Sequence, residues 1–298
     1  MSDGRITVVV ITMDRRAELL RTLGHMTAVP ERPRIIVVDN GSRDGSADAV
    51  ARAYPGVRLI RSPRNLGAVA RNVAVEEVTT PYVAFCDDDT WWEPGALGRA
   101  ADLLESHPRL ASVTGRILVE PDLREDPITP ELRCSPIPAP DWMPGPALLS
   151  ILAGASMLRV GPFRQTGGFS PRLWLGGEEE LLSLDLVSRG WWLCWAEGVV
   201  VHHAASKIRD RRQRRWLGIR NTLWTAWLRR PAADALRRTV AVLRSVPKDR
   251  ASVSAVAAAV AGLPWVLRER RVVPVAVGRG LRLLEEPQRT SVARRYVD

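Results

Sequence analysis

The sequence predicts an α/β fold, a mostly parallel sheet flanked by helices with a helical C-terminal appendage. Three observations predict it. Short apolar runs alternate with segments of helical spacing through the first part of the chain. A proline-rich, aperiodic stretch follows, and order then returns. Beyond Lys207 the pattern becomes helical, apolar on one stripe and rich in arginine around it.

The elements follow in order. Ile6–Ile11 is a first strand, and Arg15–His25 has helical spacing. Ile35–Val38, Val57–Ile60 and Tyr82–Cys86 are further apolar runs, separated by helical patterns at Ser46–Tyr54 and Ala68–Glu77. Each run is short and ends at Gly, Pro, Asn or Asp, as strands with buried faces do. Residues 119–146 hold eight prolines and little periodicity, which predicts a loop over a functional site. Ala147–Leu158 restores order. A helix is expected over Glu178–Ser188, stopping at Arg189-Gly190, and a strand pair through Trp192–Ala196 and Val199–His203. Arg211–Leu228 places Trp216, Ile219, Leu223, Trp224, Trp227 and Leu228 on one stripe. Ala251–Leu267 has no charge but contains Gly262 and Pro264. Its 17 residues are the short limit for a membrane span, so a helix buried in protein or lying at an interface is expected.

Composition bounds the function. The 298 residues are 46% hydrophobic and 26% charged, enough for a large core and unlike a disordered chain. The net charge of +10, mostly arginine in the C-terminal third, favours anionic partners such as nucleoside diphosphates or acidic lipid. An arginine-rich genome would leave the same excess. Cys86, Cys134 and Cys194 form no CxxC pair, which excludes zinc ribbons and thioredoxin-like motifs and suits a reducing compartment. The run after the N-terminus is too short for a signal peptide, so a cytoplasmic protein is expected.

The chemistry-bearing residues gather at strand ends. Asp87-Asp88-Asp89 follows an apolar strand directly. Three adjacent carboxylates repel one another unless a cation joins them, and strand C-terminal ends are where open α/β sheets bind ligands. A site for Mg²⁺ or Mn²⁺ holding a diphosphate is one reading, and a solvated turn is the other. Asp39 ends a second strand, before the turn Asn40-Gly41-Ser42. There it either accepts the N3–H of a uracil or thymine base or caps the turn. In Arg64-Asn65-Leu66-Gly67-Ala68-Val69-Ala70-Arg71-Asn72, Gly67 allows a tight helix entry. Arg71 lies one turn inside, within reach of a phosphate or the acidic triplet.

The ordered string ITMDR…VVDNGSRDGS…RNLGAVARN…FCDDDT resembles the family-2 glycosyltransferases of GT-A fold, over residues 5–205. Thr12 and Arg15 match the first segment, while Asp14 and Ile11 depart from the family's Asn and Pro. The resemblance implies a GT-A catalytic domain over 1–206, with nucleotide-sugar binding over about 1–118 and an acceptor side over about 119–206, and a basic, mainly helical region over 207–298. It implies that Thr12, Arg15, Asp39 and Arg71 hold the nucleotide sugar and that Asp89 binds the metal, leaving Asp87 and Asp88 for ribose or bound water. Gly177-Glu178-Glu179-Glu180 resembles the family's acid motif at a helix start, and the matching position makes Glu179 the catalytic base, with Glu178 as the alternative. Here Glu replaces the commoner Asp. An acidic first turn complementing a helix dipole would look the same. Val200-Val201-His202-His203 resembles the family's late strand ending in a metal-binding His. Adjacent residues on a strand face opposite ways, and the spacing to Ser206 selects His202 over His203.

The function implied is inverting transfer of a sugar from a UDP or dTDP sugar to a hydroxyl of a glycan, lipid-linked or small-molecule acceptor, with Mn²⁺ or Mg²⁺. Trp91, Trp92 and Trp174 are placed to line a sugar or acceptor pocket, with core packing as the alternative. A nucleotidylyltransferase would carry a glycine-rich loop after the first strand, where Thr12-Met13-Asp14-Arg15 stands. A non-catalytic, membrane-associated relative would not need the acidic motifs. Nucleic acid is not an expected partner. Trp216, Trp224 and Trp227, with Arg211, Arg212, Arg214 and Arg215 beside them, predict either a peripheral helix on the anionic inner face of a membrane or packing on the protein itself or a second copy.

Overall fold

The computed structural model describes residues 3–205 and 211–291; Ser206, Lys207 and the side chain of Arg211 lie outside the described residues. The strands are β1 (Ile6–Thr12), β2 (Arg34–Asp39), β3 (Arg58–Arg61), β4 (Tyr82–Asp87), β5 (Thr90–Trp92), β6 (Leu110–Val119), β7 (Arg124–Glu125), β8 (Ala147–Leu148), β9 (Ser156–Arg159) and β10 (Trp192–His203). The helices are α1 (Arg16–Ala28), α2 (Ser46–Ala53), α3 (Ala70–Glu76), α4 (Ala96–Ser106), α5 (Thr129–Arg133), α6 (Val160–Thr166), α7 (Glu178–Ser188), α8 (Arg211–Arg229), α9 (Ala232–Ser245), α10 (Arg250–Ala261), α11 (Leu263–Arg268) and α12 (Val275–Thr290).

One sheet runs β3-β2-β1-β4-β9-β6-β10-β5, with β7 on β6 and β8 on β10. Strands β3, β2, β1 and β4 are mutually parallel, as the alternation of runs and helices requires. Ile6, Val8, Val9 and Val10 of β1 are fully buried because this strand has neighbours on both edges and cover on both faces. Leu19, Thr22, Leu23 and Met26 give α1 its buried face at helical spacing. In this order the ends of β1, β2 and β4 come side by side, and Thr12, Asp39 and Asp87 with them.

Two expectations are corrected. The pair foreseen over Trp192–Ala196 and Val199–His203 is a single strand, β10, parallel to β6, with a register shift between Ala196 and Val200 that looks like a turn in sequence. The uncharged run Ala251–Leu267 is divided between α10 and α11 at Gly262. A Cβ there would meet the Trp224 ring 2.5 Å away, so the missing side chain makes room for the tryptophan. Among the described residues no helix is long and apolar enough to cross a membrane.

The tryptophan stripe of α8 packs on the protein. Ile219, Leu223, Trp224 and Leu228 share a core with Leu173, Leu181, Val242, Ala255 and Val266. The indole N–H groups of Trp216, Trp224 and Trp227 donate to Ser254 Oγ, Ala259 O and Thr239 Oγ1. Most of the stripe's apolar area is thus covered by the protein itself, with Trp216 and Trp227 partly buried, and its polar tips are satisfied.

Candidate active site

A cleft of about 1760 Å³ opens at the ends of β1 and β4, larger than the roughly 300–1,000 Å³ of a single small-molecule site. It has room for two substrates. The acidic triplet forms its base. Asp88 is buried, and its carboxylate accepts from Thr12 Oγ1 at 2.9 Å and pairs with Arg15 Nη1 at 2.9 Å. Burial pushes the Asp88 carboxyl up to about 7, with Arg15 opposing and the charges of Asp89 and Asp87 adding to the rise. Arg15 also reaches Asp89 at 3.5 Å. Arg71 is buried, its guanidinium pairs with Asp87, and it lies 5.9 Å and 5.6 Å from the rings of Phe85 and Phe169. Two arginines thus partly neutralise three carboxylates and keep the triplet together.

The turn is also fixed through its backbone. Thr22 Oγ1 donates to Asp88 O at 2.8 Å, the Asp87 N–H donates to Thr90 Oγ1 at 2.8 Å, and the Ala204 N–H donates to Asp89 O at 2.9 Å. The last bond brings the end of β10 to the triplet, and His203 Nε2 lies 3.8 Å from Asp89 Oδ2. His202, favoured by sequence, faces the other way: its Nδ1 is 2.7 Å from Glu120 Oε1 and its ring stacks on Trp91. The register decides this, since His202 pairs with Trp91 and His203 with the cleft-lining Thr90.

Trp91 and Trp92 do not line the cleft. The chain enters β5 directly after the triplet. Trp92 is fully buried with Nε1 donating to Phe85 O, and Trp91 lies between the rings of His25 and His202. Trp174 does line it, with its backbone against Gly67: the Ala68 N–H donates to Trp174 O at 2.8 Å. Asp39 is buried and accepts from the Ser42 N–H at 3.3 Å, so it caps the turn after β2. Segment 119–146 contributes Asp126, Ile128, Glu131, Leu132 and Ser135 to the cleft wall.

Glu178 and Glu179 open α7 and also line the cleft. Glu179 Oε1 accepts from the Ala153 N–H at 2.5 Å, and burial together with the Glu178 charge pushes its carboxyl up to about 8. Burial also raises Glu178, whose Oε2 has no hydrogen-bond partner. A carboxylate in such a setting is a poor resident anion and a ready proton acceptor.

Sequence reasoning missed three asparagines that hold the walls. Asn40 accepts from the Leu66 N–H at 3.2 Å. Asn72 exchanges two hydrogen bonds with the Phe169 backbone, at 2.8 and 2.9 Å. Asn221 donates to Leu173 O and Leu175 O, and to Gly176 O, just before the acid helix. Asn40 and Asn72 stand inside the quoted motifs, so they were visible as positions. Asn221 lies in α8 with nothing in its neighbourhood to mark it.

Asp89 Oδ2 and His203 Nε2, 3.8 Å apart, offer one oxygen and one nitrogen donor at the cleft. This fits an Mn²⁺ or Mg²⁺ ion whose other positions are filled by diphosphate oxygens and water. Among the described residues no group of three or more His, Cys, Asp or Glu side chains could hold an ion without such help.

Residues 7–158 match the model of Glycosyl transferase family 2. An N-acetylglucosaminyl-diphospho-decaprenol L-rhamnosyltransferase of Mycobacterium tuberculosis is 28% identical over 238 residues, covering 67% of this chain and 76% of that protein. The pre-mycofactocin glycosyltransferase of the same organism is 28% identical over 217 residues, 69% of this chain and 44% of that one. Among solved structures, a mannosyltransferase from Pyrobaculum calidifontis in complex with GDP-Man and Mn²⁺ superposes with a TM-score of 0.62 at 19% identity, over 98% of this chain and 84% of its own. The fold is GT-A, and the chain belongs to glycosyltransferase family 2.

Proposed function

We propose that this glycosyltransferase is inverting, that it uses a UDP or dTDP sugar with Mn²⁺ or Mg²⁺, and that its acceptor is a hydroxyl of a glycan or lipid-linked glycan. The observation that carries the reading is the presence of two charge clusters in one cleft, close enough for Arg71 and Asp87 to act on both glutamates. The arginine-paired triplet Asp87-Asp88-Asp89 and the desolvated pair Glu178-Glu179 both line it. The relatives support a sugar donor and a glycan or lipid-linked acceptor.

Thr12, Arg15 and Arg71 line the donor end, where guanidinium groups suit a diphosphate. Asp39 acts by holding the turn after β2. Asp89 and His203 would hold the cation, which when bound supplies charge neutralisation for the departing diphosphate. Glu179, anchored through Oε1, accepts the acceptor hydroxyl's proton while that oxygen attacks the anomeric carbon from the side opposite the diphosphate. Glu178 is the alternative base. Trp174 offers a ring face to a sugar at the cleft. A thermal-shift panel of nucleoside diphosphates with and without Mn²⁺ tests the donor reading. A Mn²⁺-dependent rise in melting temperature with UDP or dTDP is expected; no rise with any nucleoside diphosphate would overturn it.

A further inference from the structure

We propose that the cleft-facing side of α9 binds the diphosphate of a lipid-linked acceptor through Arg238 and Arg244, and that an apolar stripe on the same helix receives the start of the lipid. The proposal rests on the glycosyltransferase reading above and names the class of its acceptor.

Charge is segregated along the chain. Residues 211–291 carry 18 Lys and Arg against five Asp and Glu, whereas residues 3–205 carry 21 against 26. Several of the arginines are already matched: Arg229 with Asp185, Arg282 with Asp234, Arg230 with Glu285, and Arg237 with both Asp234 and Glu285. Arg238 and Arg244 differ. Both line the cleft, and among the described residues neither forms a hydrogen bond or ion pair. Two uncompensated guanidinium groups on one wall match a doubly charged group better than a single carboxylate.

The helix also has a second exposed face. Leu236, Val240 and Leu243 recur at i, i+4 and i+7 and are 57%, 38% and 44% exposed. The 100° step of a helix places this stripe beside Arg237 and Arg244, which border the cleft. Arg244 at the border of the apolar stripe, with Arg238 farther round on the cleft-lining side, complements a diphosphate attached to a hydrocarbon chain. The wall is held in register with the acid helix by linked ion pairs. Arg237 pairs with Glu285, Glu285 with Arg230 at 2.8 Å, and Arg230 reaches Glu180 at 4.0 Å, one residue from Glu179. An acceptor anchored on α9 would therefore be positioned relative to the base.

The test is a titration of the full chain with farnesyl diphosphate, with farnesol and inorganic pyrophosphate as separate arms. Mn²⁺ and a nucleoside diphosphate fill the donor site throughout. Wild-type protein is expected to bind farnesyl diphosphate more tightly than either partial probe. The double variant R238A/R244A is expected to weaken it by at least about 100-fold, the product of two charged hydrogen-bonding contacts of about tenfold each. R238K/R244K should recover part of that loss. Replacing Leu236, Val240 and Leu243 by Ser should weaken farnesyl diphosphate and leave pyrophosphate unchanged. Equal affinity in R238A/R244A, equal affinity for farnesol, or no binding by wild type would each overturn the proposal. If wild type binds no nucleoside diphosphate either, the glycosyltransferase reading itself fails; if it does, only the acceptor proposal falls.

Discussion

Gly67→Ala probes the seam between the two walls of the cleft. Gly67 has a φ of +59°, and a Cβ built there would lie 2.4 Å from Trp174 O and 2.9 Å from two atoms of its ring. Non-glycine residues in this region cost roughly 1 kcal/mol or more. The clash with backbone oxygen requires Trp174 to retreat by roughly 1 Å to restore ordinary contact near 3.5 Å. That retreat breaks the 2.8 Å bond from the Ala68 N–H to Trp174 O, worth about 1 kcal/mol. A stability loss of about 2 kcal/mol is expected in urea unfolding, with a kcat loss on the order of 10²-fold, as misplacement by about 1 Å can cause. Gly161→Ala, where nothing lies within 4 Å of the added Cβ, is the control. Unchanged stability and rate in Gly67→Ala would refute the claim that this contact sets the cleft.

Three further outcomes are expected. Glu179→Gln should lower kcat by about 10²–10⁴-fold with donor affinity intact; if Glu178→Gln is the inactive variant instead, the base is Glu178. The pH dependence follows from the raised Glu179 carboxyl. Native protein holds this proton more tightly than unfolded chain, so kcat/KM should rise as pH climbs through about 8, while stability from this group falls between its ordinary 4.5 and about 8. A flat rate profile over that range in wild type would remove Glu179 from the proton transfer. His203→Ala should raise the Mn²⁺ concentration needed for half-maximal activity, whereas His202→Ala should lower stability through lost stacking on Trp91. Mn²⁺ titration of chelator-stripped protein separates the two, and an unchanged requirement in His203→Ala would exclude it as a ligand.

Much of the fold was legible because its signal is local. The runs at Ile6–Ile11, Ile35–Val38 and Tyr82–Cys86 are buried on both faces, so they stand out as continuous apolar stretches ending in polar residues. Asp39 and Asp87–Asp89 were legible as strand-end acids for the same reason. What was not legible depended on partners distant in sequence. The choice between His202 and His203 turns on the pairing of β10 with β5, and the register shift near Gly198 hides which face each occupies. Trp91 and Trp92 were misplaced because the turn after the triplet leads into a buried strand rather than along the cleft rim. The stripe on α8 was correct as an amphipathic face, but amphipathicity names no partner. Leu173, Leu181 and the later helices cover it. Asn221 carries no local mark, since its importance lies in the carbonyls of residues 173–176.

The most direct test incubates the protein with UDP, dTDP and GDP sugars and Mn²⁺ and measures release of the nucleoside diphosphate by hydrolysis, water taking the place of the acceptor hydroxyl. Mn²⁺-dependent release from a UDP or dTDP sugar is expected, abolished in Asp89→Ala while the melting transition persists. Full release by Asp89→Ala or by chelator-treated wild type, or release from a GDP sugar alone, would contradict the proposed function.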